Sequence, residues 1–554
     1  MTAFEPALGP QGNGPYRLLR GGSARVVARV LAALEDPEAA QRARLDALLA
    51  AGRETVFGRE HGLGAVRTLE EFRSAVPIRD HEGHRAWLER VAAGESGVLT
   101  TEPTIQLLET SGTTGKPKHL PVTPGWATTV SEAQSCWILG LIRDYEALAK
   151  GSALTVVSPA EHARSPGGIP IGANTGRMHL AQPWWLRLRY PIPYEVFTLK
   201  PSDLKLYCLL RYALQSTITS ITTANPSTVL LLCRKLLAWQ EELAADLQDG
   251  TLTRGPAASL DPAVRRRLWW TLRRGRPPVD WRPAKIWPLV VVNCWKGGPA
   301  AYFVDRLPAA LGADLPVREV GITASEGFFG VPLGDWDGGV LWTTGHLIEL
   351  LTEDGQALGA WQWEPGMRGR LVITTEAGLY RYDLDDVVEV IGMCRKTPVI
   401  RFVGKGRRTL NAVGERLTEA QAAEALRAAA RKTGLEPVGF TLGVLLGEVP
   451  RYRVAVEAPV GAPADPRFEA ALDEALAAQN VEFQGRRETG RLDAPQVAWV
   501  PPGTYQRWRA ARVAAGAPDG QIKDPVLALD DREWRAVVSP EEPGGSSPLT
   551  SSSV

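Results

Sequence analysis

Net charge is what this sequence most nearly lacks: 63 lysines and arginines meet 62 aspartates and glutamates, leaving +1. So close a balance removes any global electrostatic reason for a nucleic-acid or membrane partner and makes small-molecule chemistry the default. Cysteines are scarce as well. Cys136, Cys208, Cys233, Cys294 and Cys394 are odd in number, far apart and never in a CxxC pair. They suggest neither a disulfide framework nor a zinc site, and they suit a reducing cytoplasm. No stretch approaches the roughly eighteen apolar residues of a membrane-spanning helix, and the opening MTAFEPALGPQGNGPYR has no apolar signal-peptide core. The expectation is a cytoplasmic protein that does not span a membrane. His81 and His84 stand three apart without an accompanying carboxylate or cysteine set, so they are expected to be surface or packing residues rather than metal ligands.

A chain of 554 residues exceeds what one hydrophobic core supports, so at least two domains are expected. Ser23 to Ala51 shows helical spacing broken at Asp36-Pro37, which predicts two packed helices. Asn225-Pro226-Ser227 opens a further helix over Thr228 to Leu247, with Gly250 beyond its end. Short β-branched runs at Ala153 to Val157, Leu289 to Val292, Leu371 to Thr374 and Val387 to Ile391 read as buried strands. Their alternation with helices predicts an α/β fold.

Past Leu410 the pattern becomes a compact α+β set. It comprises a helix Glu419 to Arg431 between Thr418 and Gly434, strands near Phe440 to Leu446 and Tyr452 to Ala458, a helix Pro466 to Ala478, and a strand Gln496 to Val500. The tail from Ser539 is rich in Pro, Gly and Ser and is expected to be disordered. Arginines 265–267, 273, 274 and 276 surround Trp269-Trp270. With the charge balanced overall, they are expected to form a solvated basic helix face rather than a nucleic-acid contact.

The densest chemistry lies in Thr110-Ser111-Gly112-Thr113-Thr114-Gly115-Lys116-Pro117-Lys118. Glycines admit a close backbone approach to phosphate oxygens, while hydroxyls, free N–H groups and lysines complete a polyphosphate cradle. A Walker loop does not fit. Its first glycine would fall on Thr110, and Pro117 stands where the magnesium-binding hydroxyl belongs.

SGTTGKPK closely resembles the phosphate-loop signature of the adenylate-forming superfamily, which includes acyl-CoA synthetases, peptide-synthetase adenylation domains and luciferases. The flanks VPIRDHEGHRAWLERVAAGE and KHLPVT narrow the resemblance to the auxin-responsive (Gretchen Hagen) family of acyl acid amido synthetases, over roughly Thr55 to Pro525. The resemblance implies a large N-terminal domain of mixed sheets flanked by helices (1–412), a hinge (413–417) and a mobile α+β domain (418–538), before the tail 539–554.

It also implies roles residue by residue. Thr110, Ser111, Gly112, Thr113, Thr114, Gly115 and Lys118 would hold ATP phosphates. Thr323 and Ser325 would support them, and Glu326 of Gly321-Ile322-Thr323-Ala324-Ser325-Glu326-Gly327 would hold Mg²⁺, since a hard cation takes oxygen ligands. In Gly378-Leu379-Tyr380-Arg381-Tyr382-Asp383-Leu384-Asp385-Asp386-Val387-Val388, Asp386 would accept both ribose hydroxyls. Arg416 stands where the family's hinge carries lysine, and Lys523 would be the lysine that swings in as the small domain closes.

The implied reaction activates a carboxylic acid as an acyl-adenylate with ATP and Mg²⁺ and passes the acyl group to an amine, an amino acid in this family. Acyl transfer to a thiol is the enzymatic alternative. A degenerate nucleotide binder is the other, raised by departures from the family pattern: Ile322 for an aromatic residue, Asp383 for a basic one, Asp385 for glycine, and Arg416.

Overall fold

The computed structural model describes residues 3–110, 118–182, 190–297, 300–406, 409–435, 437–459, 465–514 and 525–539. Asp36 ends the helix Ala24–Glu35 and caps the next, Pro37–Gly52, by accepting the Ala39 N–H at 3.0 Å. Pro37 sits at the first helical position, where its missing N–H costs nothing. The expected pair of helices is therefore present. The single helix expected to begin after Asn225 is instead two, Pro226–Ala238 and Gln240–Asp249. Trp239 leaves helical geometry between them and packs edge-on against Tyr207 at 5.6 Å, so a tertiary contact overrides local propensity.

The described chain divides into two compact units, at residues 406/407. The first unit centres on a nine-stranded sheet. Its path runs Ile322–Ala324, Gly327–Val331, Gly339–Leu341, Thr397–Lys405, Tyr382–Cys394, Arg368–Thr374, Leu347–Leu351, Ala357–Gly359, and Ala3–Phe4 pairs alongside Tyr382–Cys394. Tyr382–Cys394 alternates buried and half-buried residues, as a strand with one face on the core must. This face joins Leu45, Leu48, Phe57, Trp126 and Trp342 in one core. A second core surrounds a parallel sheet of Ser152–Thr155, Ile218–Thr222, Val291–Asn293 and Val317–Arg318, covered by helices such as Ser202–Leu214 and Pro226–Ala238. The fold is α/β, with mixed and parallel sheets flanked by helices.

In the second unit a four-stranded sheet runs Gln496–Val500, Arg451–Glu457, Gly439–Leu445, Leu527–Ala528. Thr418 and Gln421 form a capping box on Glu419–Thr433, and Gly434 closes that helix in the left-handed region. Helix Pro466–Gln479 matches the sequence reading, whereas Val481–Glu488 and Asp531–Val538 were not anticipated. Residues 413–417 lie within this unit, and residues 540–554 of the tail lie outside the described residues. No helix among the described residues is long and apolar enough to cross a membrane.

Candidate active site

Two strands frame the glycine-rich segment. Gln106–Thr110 and Lys118–Val122 pair antiparallel in the register Thr110 to Lys118, which brings the segment's two ends together. Ser111, Gly112, Thr113, Thr114 and Gly115 lie outside the described residues. Thr123 then caps the long helix Pro124–Asp144 by accepting the Trp126 N–H at 3.2 Å. That cap fixes Trp126, whose buried indole N–H donates to the Glu326 carbonyl at 2.7 Å. The segment after the glycine-rich region is thereby tied to the acidic motif two hundred residues on.

Glu326 lies at a hairpin tip. Ala324 pairs with Gly327, so Ser325 and Glu326 form a two-residue turn, and Thr323 Oγ1 donates to the Gly327 carbonyl at 3.2 Å. All three side chains are half-buried rather than sealed in. Buried Tyr382 lies beside the Glu326 carboxylate, and burial first, then that carboxylate, pushes the phenol pKa well up. Tyr382 thus joins Glu326 to the third motif, a link that sequence spacing could not reveal. Ile322 is buried in the main core, so at this departure from the family pattern the side chain serves packing.

Asp383, Asp385 and Asp386 crowd the start of the strand Tyr382–Cys394, and the neighbouring strands supply cations for them. Arg370 donates to Asp383 at 2.8 Å, and Lys405 pairs with Asp386 across the register. Lys405 also donates to the Leu384 carbonyl at 3.0 Å. The acidic run from Asp383 to Asp386 is balanced locally by Arg370 and Lys405, which sequence reasoning had no cause to connect with it. Asp386 is buried, and its Oδ1 accepts no hydrogen bond among the described residues even though Lys405 provides the opposite charge. Asp385 has φ 61°, a left-handed geometry that glycine adopts freely and Asp tolerates. Its N–H donates to Asp383 Oδ1 at 2.9 Å, and its carbonyl accepts from Gly406 at 2.8 Å.

Arg381, in the same motif, has a structural task. Its guanidinium holds the buried Glu349 carboxylate at 3.0 and 3.3 Å and donates to the carbonyls of Arg73 (3.1 Å) and Val76 (2.9 Å) at the end of helix Leu69–Ala75. The histidines left open in sequence as surface or packing residues are both buried. His84 is held between the Asp80 and Tyr380 carbonyls, each at 3.0 Å. His81 begins the helix His81–Ala92, and burial with the nearby Lys118 ammonium lowers its pKa to about 4. Just before the hairpin, burial raises the Glu319 carboxyl to about 7 although it accepts N–H groups from Lys296, Val320 and Gly321.

In the second unit, Arg416 is exposed with φ 50°. The turn carrying it is anchored by buried Glu415, which accepts the Ala412 and Val413 N–H groups at 2.6 and 2.8 Å and the Tyr452 hydroxyl. Lys523 lies outside the described residues. The structure thus brings Glu326 to Tyr382 and sets Asp386 against Lys405, while Arg416 belongs to the separate unit.

Comparison with known proteins gives a consistent assignment. Residues 26–317 match the GH3 family N-terminal domain, 339–405 its central domain and 420–532 its C-terminal domain. Among curated relatives, an indole-3-acetic acid-amido synthetase of Oryza sativa subsp. indica is 25% identical, covering 91% of this chain and 92% of its own. A jasmonoyl-L-amino acid synthetase of Oryza sativa subsp. japonica is 23% identical over 88% and 92%. Among solved structures, an acyl acid amido synthetase in complex with 2,4-DB has TM-score 0.64 at 18% identity, covering 93% of this chain and 95% of its own. A 2-hydroxyisobutyryl-CoA ligase in complex with 2-HIB-AMP and CoA has TM-score 0.54 at 16% identity, covering 90% of this chain and 91% of its own.

Proposed function

The chain belongs to the GH3 family, and from that membership we propose that it is an ATP-dependent ligase joining a carboxylic acid to an amine, an amino acid, through an acyl-adenylate. The observation that carries the reading is the succession of the three family domains, in order, from residue 26 to residue 532. The curated relatives, matched over about nine tenths of their own length, are named as amido synthetases.

The residues present fit a magnesium nucleotide. Glu326 offers a half-exposed oxygen ligand at a hairpin tip, as a hard cation requires. Asp386, buried and paired with Lys405, offers a carboxylate whose two oxygens suit a vicinal diol. When bound, Mg²⁺ supplies positive charge that neutralises the departing pyrophosphate. Thr110, Lys118, Thr323 and Ser325, with the loop residues Ser111 to Gly115, cradle the phosphates, and Tyr382 orients the Glu326 carboxylate.

A carboxylate oxygen of the acid attacks the α-phosphorus, and the bond to the bridging oxygen of pyrophosphate breaks. The amine nitrogen then attacks the acyl carbon, AMP leaves with the bonding electrons, and the amine loses a proton to solvent. In this reading Lys523 and Arg416 belong to a C-terminal unit that closes over the adenylate, with the hinge near residues 413–417, and Lys523 offsets charge developing at phosphorus. We place the enzyme in the cytoplasm, which suits its five free, buried cysteines.

The test is pyrophosphate release from ATP and Mg²⁺ over a panel of aryl, indolyl and fatty acids, with product masses recorded in the presence of amino acids or coenzyme A. Acid-dependent release and an amide mass are expected. A thioester without amide would move the acceptor to a thiol, and silence over the whole panel would sink the adenylation reading.

A further inference from the structure

The arginine-rich segment around Trp269-Trp270 has no part in the proposed chemistry, yet the fold keeps it at the surface of the first unit. Between Asp261 and Arg282 stand seven arginines and two aspartates. Both aspartates are occupied: Asp261 caps the helix Pro262–Trp269 by accepting the Ala263 and Val264 N–H groups at 2.8 and 3.1 Å, and Asp280 pairs with Arg282. Arg267 pairs with Glu195 at 3.3 Å. Arg266, Arg273, Arg274 and Arg276 are exposed and have no carboxylate partner among the described residues. Amid these cations Trp269 is 53% and Trp270 78% exposed, and Val279 is fully exposed. A lone apolar side chain in water needs no explanation, but two adjacent indoles among unpaired guanidiniums mark a docking face.

The local geometry groups these side chains. Arg266 precedes the two indoles by three and four positions, and Trp270 keeps right-handed helical backbone angles, so cation and rings share one helix face. The backbone beneath them is held from inside. Buried Tyr212 donates to the Leu268 carbonyl at 2.6 Å, and Gln215 donates to the Thr271 carbonyl at 2.9 Å while accepting the Arg273 N–H at 2.8 Å. Arg211, a guanidinium with no exposure of its own, donates to the Arg273 carbonyl at 2.8 Å, and Gly275 donates to the Leu247 carbonyl at 2.9 Å. The segment is thus fastened to residues at the end of the helix Ser202–Leu214, while its indoles and four guanidiniums stay in solvent. A display built on this footing loses little conformational freedom when it meets a partner.

We infer that this face docks the protein reversibly on an anionic bilayer surface, the indoles at the headgroup boundary and the unpaired guanidiniums on lipid phosphates. An indole suits that boundary because its ring is apolar and its N–H is not, and basic residues are drawn to an anionic leaflet. Single-stranded nucleic acid also offers phosphates, but the two rings meet at 60° with centroids 5.4 Å apart, so they present no parallel pair of faces to successive bases. Exposed Val279 would meet nothing apolar on a phosphate backbone, whereas the acyl boundary accepts it. With the chain as a whole at +1, the attraction comes from this face rather than from net charge, which makes docking oriented and sensitive to salt. It stands apart from the ligase chemistry, since none of Glu326, Tyr382 and Asp386 belongs to this segment.

The test is co-sedimentation of the full chain with phosphatidylcholine vesicles, alone and with about one third phosphatidylserine. Saturable binding to the anionic vesicles is expected. It should be at least tenfold weaker on phosphatidylcholine alone, and as much weaker at ~1 M salt, where screening leaves a reach of about 3 Å. Trp270→Ser, and Arg273→Glu combined with Arg276→Glu, should each weaken it at least tenfold. These changes touch exposed side chains and leave the anchoring backbone bonds in place, so thermal unfolding should match the wild type. No binding to either vesicle, equal binding to both, or variants that bind as the wild type does would overturn the inference. Retention of a single-stranded oligonucleotide through the same arginines, with the vesicles left unbound, would overturn it too and make the face a nucleic-acid contact.

Discussion

The stretch from Thr374 to Asp386 serves two regions that treat charge in opposite ways. Toward its end, Asp383 and Asp386 have cations, and Glu326 has the Tyr382 phenol. At its beginning, Thr375 Oγ1 is buried without a hydrogen-bond partner among the described residues, as is Nε of Arg44, whose guanidinium pairs with Glu376. A partner of opposite charge or a hydrogen-bond donor holds a carboxylate in place, whereas a buried polar atom without a partner carries the cost of its lost hydration. Between the two lies Arg381, which does neither and holds the fold.

The sharpest way to break this comparison is to remove that divider. Arg381→Met would leave Glu349 with Arg73 alone and free the carbonyls of Arg73 and Val76. A stability loss of about 3 kcal/mol is expected, since the change takes one of two cations from a buried carboxylate and unpairs two carbonyls. Denaturant midpoints would measure it, and an unchanged midpoint would show that Arg381 serves catalysis instead. Glu326→Gln should do the reverse, slowing acid-dependent pyrophosphate release about 100-fold, ~3 kcal/mol in barrier, with the midpoint unchanged. Loss of folding in that variant would show the hairpin tip to be structural.

A smaller change probes the paired region. Asp385→Gly removes a side chain from a left-handed residue, a gain of up to about 1 kcal/mol, less a fraction for the long contact to Arg370 at 3.9 Å. The net expectation is slight stabilisation with activity retained. A clear loss in thermal unfolding would mean that the Asp385 side chain is needed in this turn.

These cases also show why some of the molecule could be read from sequence and some could not. Asp36-Pro37, and Thr418 with Gly434, are local punctuation, so those helix ends were visible. The break at Trp239 depends on Tyr207, a contact thirty-two positions away, and no window along the sequence contains both. Glu326 and Asp386 stood out because each sits in a compact motif, while their companions Tyr382, Arg370 and Lys405 become meaningful only once the strands are in register.

The smallest expected effect concerns pH and the surroundings of Lys118. His81 is buried near Lys118, Arg85 and His84, with Glu82 the one opposing charge, and its pKa falls from 6.5 to about 4, burial being the largest cause. A depressed folded pKa means that the unfolded chain takes up the proton first. The stability His81 contributes is therefore complete above pH 6.5 and is lost as pH falls toward 4. Screening at a site still partly open to solvent limits this to about 1 kcal/mol. His84 and the fully buried His346, lowered to about 3, act in the same direction, so the whole protein should weaken in acid. The informative quantity is a difference: between pH 7 and pH 5 the melting temperature of His81→Phe should fall by less than that of the wild type. Equal falls would mean that His81 takes up its proton as readily in the folded protein as in the unfolded chain, and would detach this histidine from the charge pattern of the neighbouring site.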